Sequence, residues 1–229
     1  MSFTLSEVVP WGRNHAEYVA MFGLSPADLQ QRILGCGDGP ASFNATLAAR
    51  GGSIVSVDPI YGFTKDEIAG RIVATFDVVL EQTRNNREEF VWQEIASVEE
   101  LGRIRLAAMR EFLADFDHGR ATGRYLVGAL PQLPFSSQAF DLALCSHLLF
   151  LYSAQLSEDF HLAAIRELGR VAREVRIFPL LELGAKRSRH LDPVVATLQQ
   201  EGCRVEIKQV PYQFQKGGNE LLIVRSADF

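Results

Sequence analysis

The sequence is short of cysteine, and what it has is poorly placed for crosslinking. Cys36, Cys145 and Cys203 are odd in number, widely spaced and free of any C-x-x-C pair. That excludes a disulfide frame and points to reduced thiols in a reducing compartment. Long apolar runs are also missing. The most apolar stretch, residues 140–152, is too short to span a bilayer and contains Asp141 and His147. The first residues, Met-Ser-Phe-Thr-Leu-Ser-Glu, lack a basic region followed by an apolar run, so no secretion signal is expected and a cytoplasmic location is. Excess positive charge is absent: the formal net charge is −5, which provides no field for nucleic acid or an anionic membrane. One local basic run, Lys186, Arg187, Arg189 and His190, reads as a solvated loop and helix start, or as a clamp for an anionic substrate group. His118, His161 and His190 lack metal-ligand spacing with each other or with the cysteines, so no metal is expected. There is no internal repeat, no G-x-S-x-G elbow and no G-x-x-x-x-G-K-[ST] loop, which removes the hydrolase and P-loop readings.

What is present is enough apolar sequence for a full core: 229 residues, 47% hydrophobic and 22% charged, read as one domain over 1–229. Short β-like runs alternate with longer helical patterns, the mark of βαβ units and a mostly parallel sheet. Strands are expected at 32–34, 53–57, 125–127, 140–146, 175–178, 205–210 and 221–224. The last two, joined by a loop containing Gly217-Gly218, are expected to pair antiparallel. Ser25-Pro26 opens a short helix ending near Gln31, and further helices are expected near 40–50, 157–173 and 192–202. Between Thr64 and Phe116, apolar residues such as Ile68, Ile72, Val79, Leu101, Met109 and Phe112 recur at helical spacing. Two or three helices fit there where an ordinary crossover needs one, so 64–118 is read as a helical insert or lid. The expected fold class is α/β: a doubly wound, mostly parallel seven-stranded sheet with a reversed C-terminal hairpin, plus a helical insert between the second and third strands.

The segment Gly35-Cys36-Gly37-Asp38-Gly39 carries most of the functional information. Glycines ending a strand let the backbone turn sharply and approach a ligand closely. In an open parallel sheet, ligands sit at the carboxyl ends of the strands near the point where strand order reverses. Asp58 ends the next strand, about twenty residues on, where a carboxylate can accept both ribose hydroxyls of an adenosine-containing cofactor. The dinucleotide fingerprint G-x-G-x-x-G is broken by Pro40, leaving the spacing G-x-G-x-G.

This pattern resembles the first motif of the class I S-adenosylmethionine-dependent methyltransferases. Leu133-Pro134-Phe135 followed by Ala139-Phe140-Asp141-Leu142 is similar to the stretch entering the family's fourth strand. Ile165-Arg166-Glu167-Leu168-Gly169-Arg170-Val171 is similar to the helix that follows, and the final strand pair matches the reversed hairpin closing the family's sheet. The resemblance spans about 31–225 and implies S-adenosylmethionine as cofactor, held by Gly35, Cys36, Gly37, Asp38, Gly39, Asp58, Pro59, Ala129, Leu130 and Ser146. Asp38 is read either as a contact to the methionine amino group or as a turn-stabilising Asx residue. Backbone groups of Ala129 and Leu130 are candidates to read the adenine edge.

Methyl transfer from a sulfonium is an in-line displacement in which alignment supplies much of the catalysis, although an oxygen or nitrogen nucleophile can need a base. His147, following Cys145-Ser146, is the candidate base or substrate contact; the alternative is a histidine hydrogen-bonded at a strand end. Arg13, His15, Tyr61 and Tyr152 are substrate candidates. Their plain alternatives are exposed polar residues in a mobile arm for Arg13 and His15, and core packing for the two tyrosines. The leading function is methyl transfer to a small-molecule acceptor by a monomer or homodimer, with no nucleic-acid or membrane partner. Two departures from the family pattern, Ile33 and Ala129 where acidic residues are common, motivate the alternative of an inactive S-adenosylmethionine-binding or regulatory module. A nicotinamide dehydrogenase is opposed by Pro40 and by the reversed hairpin.

Overall fold

A computed structural model of the chain describes residues 9–225. Its central sheet is built from β1 (Arg32–Cys36), β2 (Ser53–Val57), β3 (Tyr125–Leu126), β4 (Phe140–Ser146) and β5 (Ala172–Phe178). A small two-stranded hairpin, β6 (Leu181–Glu182) and β7 (Lys186–Arg187), follows, and β8 (Arg204–Gln209) and β9 (Glu220–Arg225) complete the main sheet. The strand order is β3-β2-β1-β4-β5-β9-β8. The first five strands are parallel, and β9 runs antiparallel to both β5 and β8. This is the doubly wound sheet with a reversed final pair that the sequence implies. The order reverses at β1, so the carboxyl ends of β1, β2 and β4 open on one crevice.

Helices cover both faces, which explains why the central strands are continuous apolar runs rather than alternating ones. Along β4, Leu142 and Leu144 face one layer with Ile33, while Ala143 and Cys145 face the other with Leu34. The first layer contains α1 (His15–Phe22) and α2 (Phe43–Ala49); the second contains α5 (Glu158–Val171) and α6 (Leu191–Gln200). Between β2 and β3 the chain forms two long helices, α3 (Lys65–Asn85) and α4 (Val98–Ala121). Thr64 with Glu67 closes a capping box at the start of α3, and Ser97 caps α4 through the Glu100 N–H. No helix among the described residues is long and apolar enough to cross a membrane.

Two features depart from the sequence reading. Of the two readings of Arg13 and His15, substrate contact or exposed residues in a mobile arm, the arm does not hold: the chain enters the ordered, buried α1 at His15. Asn14 and Glu17 cap it reciprocally, and His15, Glu17 and Tyr18 are buried. The polar letters hid a helix in which Asn14 and Glu17 cap each other and Glu17 finds further partners in Arg105 and Tyr212. The basic run begins on β7 of a hairpin that the sequence did not show, and its arginines are neutralised by neighbours. Arg187 pairs with Glu220 at 2.9 Å and Arg189 with Glu182 at 2.8 Å, which favours the solvated reading over an anion clamp.

Candidate active site

β1 and β2 lie in register so that Cys36 stands beside Val57, and the glycine turn begins where the strands end. The Gly37 N–H donates to the Val57 carbonyl at 2.9 Å. Gly37 has φ +70°, and a Cβ there would stand 2.7 Å from Leu148 Cδ2, so the position requires glycine for conformation and space. Asp58 ties the turn to the second strand: its Oδ2 accepts the Gly39 N–H and its Oδ1 the Ile60 N–H, both at 2.9 Å. Burial pushes the Asp58 carboxyl up, and the two N–H donors oppose that shift. Each oxygen keeps a further lone pair. Gly39, at φ +53°, has nothing within 4 Å of the place a Cβ would occupy.

Asp38 lies below the turn. Its carboxylate accepts the Tyr18 hydroxyl at 2.8 Å and the Ser56 hydroxyl at 2.6 Å, long-range pairings rather than the local Asx turn that the sequence allows. A Cβ on Gly35 would fall 1.8 Å from Asp38 Oδ2, so Gly35 serves by leaving room for that carboxylate. Burial raises the Asp38 carboxyl to about 6; the Ser56 and Tyr18 hydroxyls pull it down, and neighbouring Asp58 adds to the rise.

These groups border a cavity of about 700 Å³. Its wall includes Cys36, Asp38, Asp58 and Pro59 at the β1–β2 end, and Ala129 and Leu130 after β3. At the β4 end it includes Ser146, His147, Tyr152 and Arg13. His147 has φ +54°, a strained value for a side-chain-bearing residue. Its N–H donates to the Phe178 carbonyl at 2.7 Å, its Nδ1 pairs with Ser146 Oγ at 2.9 Å, and its ring meets Phe178 edge-on. Burial, then the positive charges of Arg13 and Arg105, hold its imidazole well below the usual histidine range, so the ring is neutral.

The cavity therefore gathers most of the residues singled out from the sequence, but not three of them. Gly35 sits beneath the turn. His15 packs against Phe43 with ring centroids 5.4 Å apart. Tyr61 is fully buried among Phe112, Phe116 and Tyr125, and its hydroxyl supports the turn from behind by donating to the Gly39 carbonyl at 2.8 Å. Sequence reasoning missed Tyr18 and Ser56, which hold Asp38, and Glu17, Arg105 and Tyr212, which form a buried polar network behind Arg13. The pattern Asn14-x-x-Glu17 was a visible capping signal for the first of these groups; nothing in the sequence marked Arg105.

No protein-family model matches the chain. Solved structures of similar course include magnesium protoporphyrin IX methyltransferase (ChlM) from Synechocystis PCC 6803 with bound SAH. It has a TM-score of 0.49 and 15% identity, with 92% of this chain and 81% of that one covered. A TehB-like SAM-dependent methyltransferase from Corynebacterium glutamicum has a TM-score of 0.47 and 14% identity, with 93% and 87% covered. In sequence, the uncharacterized protein MJ0045 of Methanocaldococcus jannaschii is 34% identical over 222 residues, spanning 96% of this chain and 97% of the relative. The match spans nearly the whole of both chains, and the chain belongs to the family of MJ0045.

Proposed function

We propose that this protein binds S-adenosylmethionine in the crevice above β1 and β2 and transfers its methyl group to a small-molecule acceptor held at the β4 end. The observation that supports this most is the convergence of the glycine turn and Asp58 on one cavity. The residues present fit the cofactor. A volume of about 700 Å³ suits an adenosine-sized ligand with room for a second small molecule. Gly39 leaves open space where a side chain would intrude, and Asp58 retains lone pairs for ribose hydroxyls. When bound, S-adenosylmethionine supplies an electrophilic methyl group on its sulfonium.

The chain's own part is to align and to exclude water. Asp58 fixes the ribose end, Ala129 and Leu130 flank the base end, and Asp38 with the glycine turn forms the floor between them. His147, neutral and paired to Ser146, faces the acceptor end and takes the proton that an oxygen or nitrogen nucleophile sheds. The departure at Ile33 counts little against activity. Its side chain is buried in the α1–α2 layer, and Asp38 brings a carboxylate to the turn instead. Calorimetry of the full chain with S-adenosylhomocysteine is the test. Dissociation constants on the order of micromolar are expected, and absence of binding at about millimolar ligand would overturn the reading. Labelled methyl appearing on an acceptor in an extract screen would separate an enzyme from an inactive module of the same fold.

A further inference from the structure

Behind the β4 end of the cavity, side chains from distant parts of the chain meet. Glu17 on α1 accepts from Arg105 Nη1 on α4 at 2.6 Å and from the Tyr212 hydroxyl, in the β8–β9 loop, at 3.0 Å. Arg13 lies in the same group and donates through Nη1 to the Trp11 carbonyl at 3.2 Å. The Nε atoms of Arg13 and Arg105 are buried and have no partner among the described residues. Two guanidiniums thus share one carboxylate. Among the described residues nothing else nearby balances the second charge: Tyr212 stays protonated, its phenol pushed up to about 12 by burial, and His147 is neutral. An uncompensated charge in such surroundings is costly, and a buried guanidinium fork is shaped for a carboxylate.

We propose that Arg13 forms a subsite for a carboxylate carried by the methyl acceptor, so that the substrates are small organic acids. This rests on the function proposed above. Of the two arginines, Arg13 is the one on the cavity wall. Its charge acts on His147 and Tyr152, at the acceptor end, and on Tyr18 beneath the turn, whereas the carboxyls of Asp38 and Asp58 respond to burial, to their own hydrogen bonds and, at Asp38, to the charge of Asp58. The arrangement places the anion beside the proposed base. A carboxylate seated on Arg13 offsets one of the charges that keep protons off His147, so the ring becomes a better proton acceptor only when an acceptor molecule is in place.

The test uses full-length protein saturated with S-adenosylhomocysteine, probed by calorimetry with benzoate and with its neutral isostere benzamide. Benzoate is expected to bind at least about ten-fold tighter than benzamide, and Arg13→Met is expected to abolish that preference. The same variant is expected to bind S-adenosylhomocysteine within about three-fold of wild type, and to melt no lower than wild type, since it removes an unpaired charge. Equal weakness for benzoate and benzamide in the wild type would overturn the proposal. So would an Arg13→Met variant that loses affinity for S-adenosylhomocysteine but keeps it for 5′-methylthioadenosine, which lacks the amino-acid end; the anion would then be the cofactor's own carboxylate. Failure of the wild type to bind S-adenosylhomocysteine at all would instead overturn the methyltransferase reading itself. If Arg13→Met does not fold, Arg13→Lys with the same two probes decides, with a weakened but surviving preference for benzoate expected and an unchanged one refuting the assignment.

Discussion

Replacing Glu17 with glutamine removes the one carboxylate of the buried network while keeping its shape. In the wild type that carboxylate takes the Arg105 guanidinium, the Tyr212 hydroxyl and the Asn14 N–H. Glutamine offers a single oxygen and no charge, so Arg105, which is fully buried, faces Arg13 with nothing between them to balance either. Breaking a buried ion pair by removing one partner costs about 3–5 kcal/mol. Against a total stability on the order of 5–15 kcal/mol, that is a large share. It corresponds to a fall in melting temperature of roughly 6–20 °C for a domain of this size. The converse substitution, Arg105→Met, leaves Glu17 with Arg13 and Tyr212, one charge of each sign, and fills the same space with an apolar chain. It should cost less than Glu17→Gln by at least about 1 kcal/mol. Denaturant unfolding monitored by circular dichroism, at neutral pH and fixed salt, measures both. Equal losses, or a loss below about 1 kcal/mol for Glu17→Gln, would refute the claim that two guanidiniums depend on one carboxylate.

Asp38 gives a pH test. Its carboxyl is raised from 3.8 to about 6, so the folded state holds the proton more tightly than the unfolded chain does. The resulting stabilisation is complete below about pH 4 and is lost as pH rises through about 6, a swing of about 3 kcal/mol. Asp38→Asn cannot titrate, so its stability relative to wild type should rise between about pH 4 and pH 7 by about that amount; a flat difference across that range would contradict the burial argument. Gly37→Ala should lose about 2–3 kcal/mol, because it adds a strained φ and a clash with Leu148. Gly39→Ala meets no neighbour and should lose only about 1 kcal/mol, while weakening S-adenosylhomocysteine binding more than it weakens the fold. Comparison of unfolding midpoints with calorimetric affinities separates the two. Asp58→Asn should weaken the same ligand by about ten- to a hundred-fold, since a charged acceptor is replaced by one oxygen and a donor; unchanged affinity would place the ribose elsewhere.

The sheet was legible because its strands are apolar runs stopped by punctuation that has a mechanical cause. Gly35 to Gly39 ends β1, Asp58-Pro59 ends β2, and Ser157 caps the helix before β5. The helical insert between β2 and β3 was legible from spacing as two or three helices, and the structure forms it with two long ones. α1 was not, since its only residue singled out, His15, was given exposure as its alternative; the reciprocal cap of Asn14 and Glu17 and the partner Arg105, 88 residues from Glu17, hold the helix in the interior. Tyr61 was legible as an aromatic near the turn, with adenosine contact and core packing both open, and the structure gives it the packing role. Its companions Phe112, Phe116 and Tyr125 come from α4 and β3, and a linear reading does not bring them together. The β6–β7 hairpin has two-residue strands, too short to leave a periodic trace.

The contact between Glu17 and Arg105 also couples two parts of the chain that would otherwise vary separately. A relative that exchanges the helical segment between β2 and β3 for one without an arginine at this place strands an acid inside the protein, and must change the start of the chain to match. Transplanting the insert alone into such a relative would therefore bury a guanidinium without its carboxylate and destabilise the recipient, whereas moving it together with α1 would carry its counter-ion along.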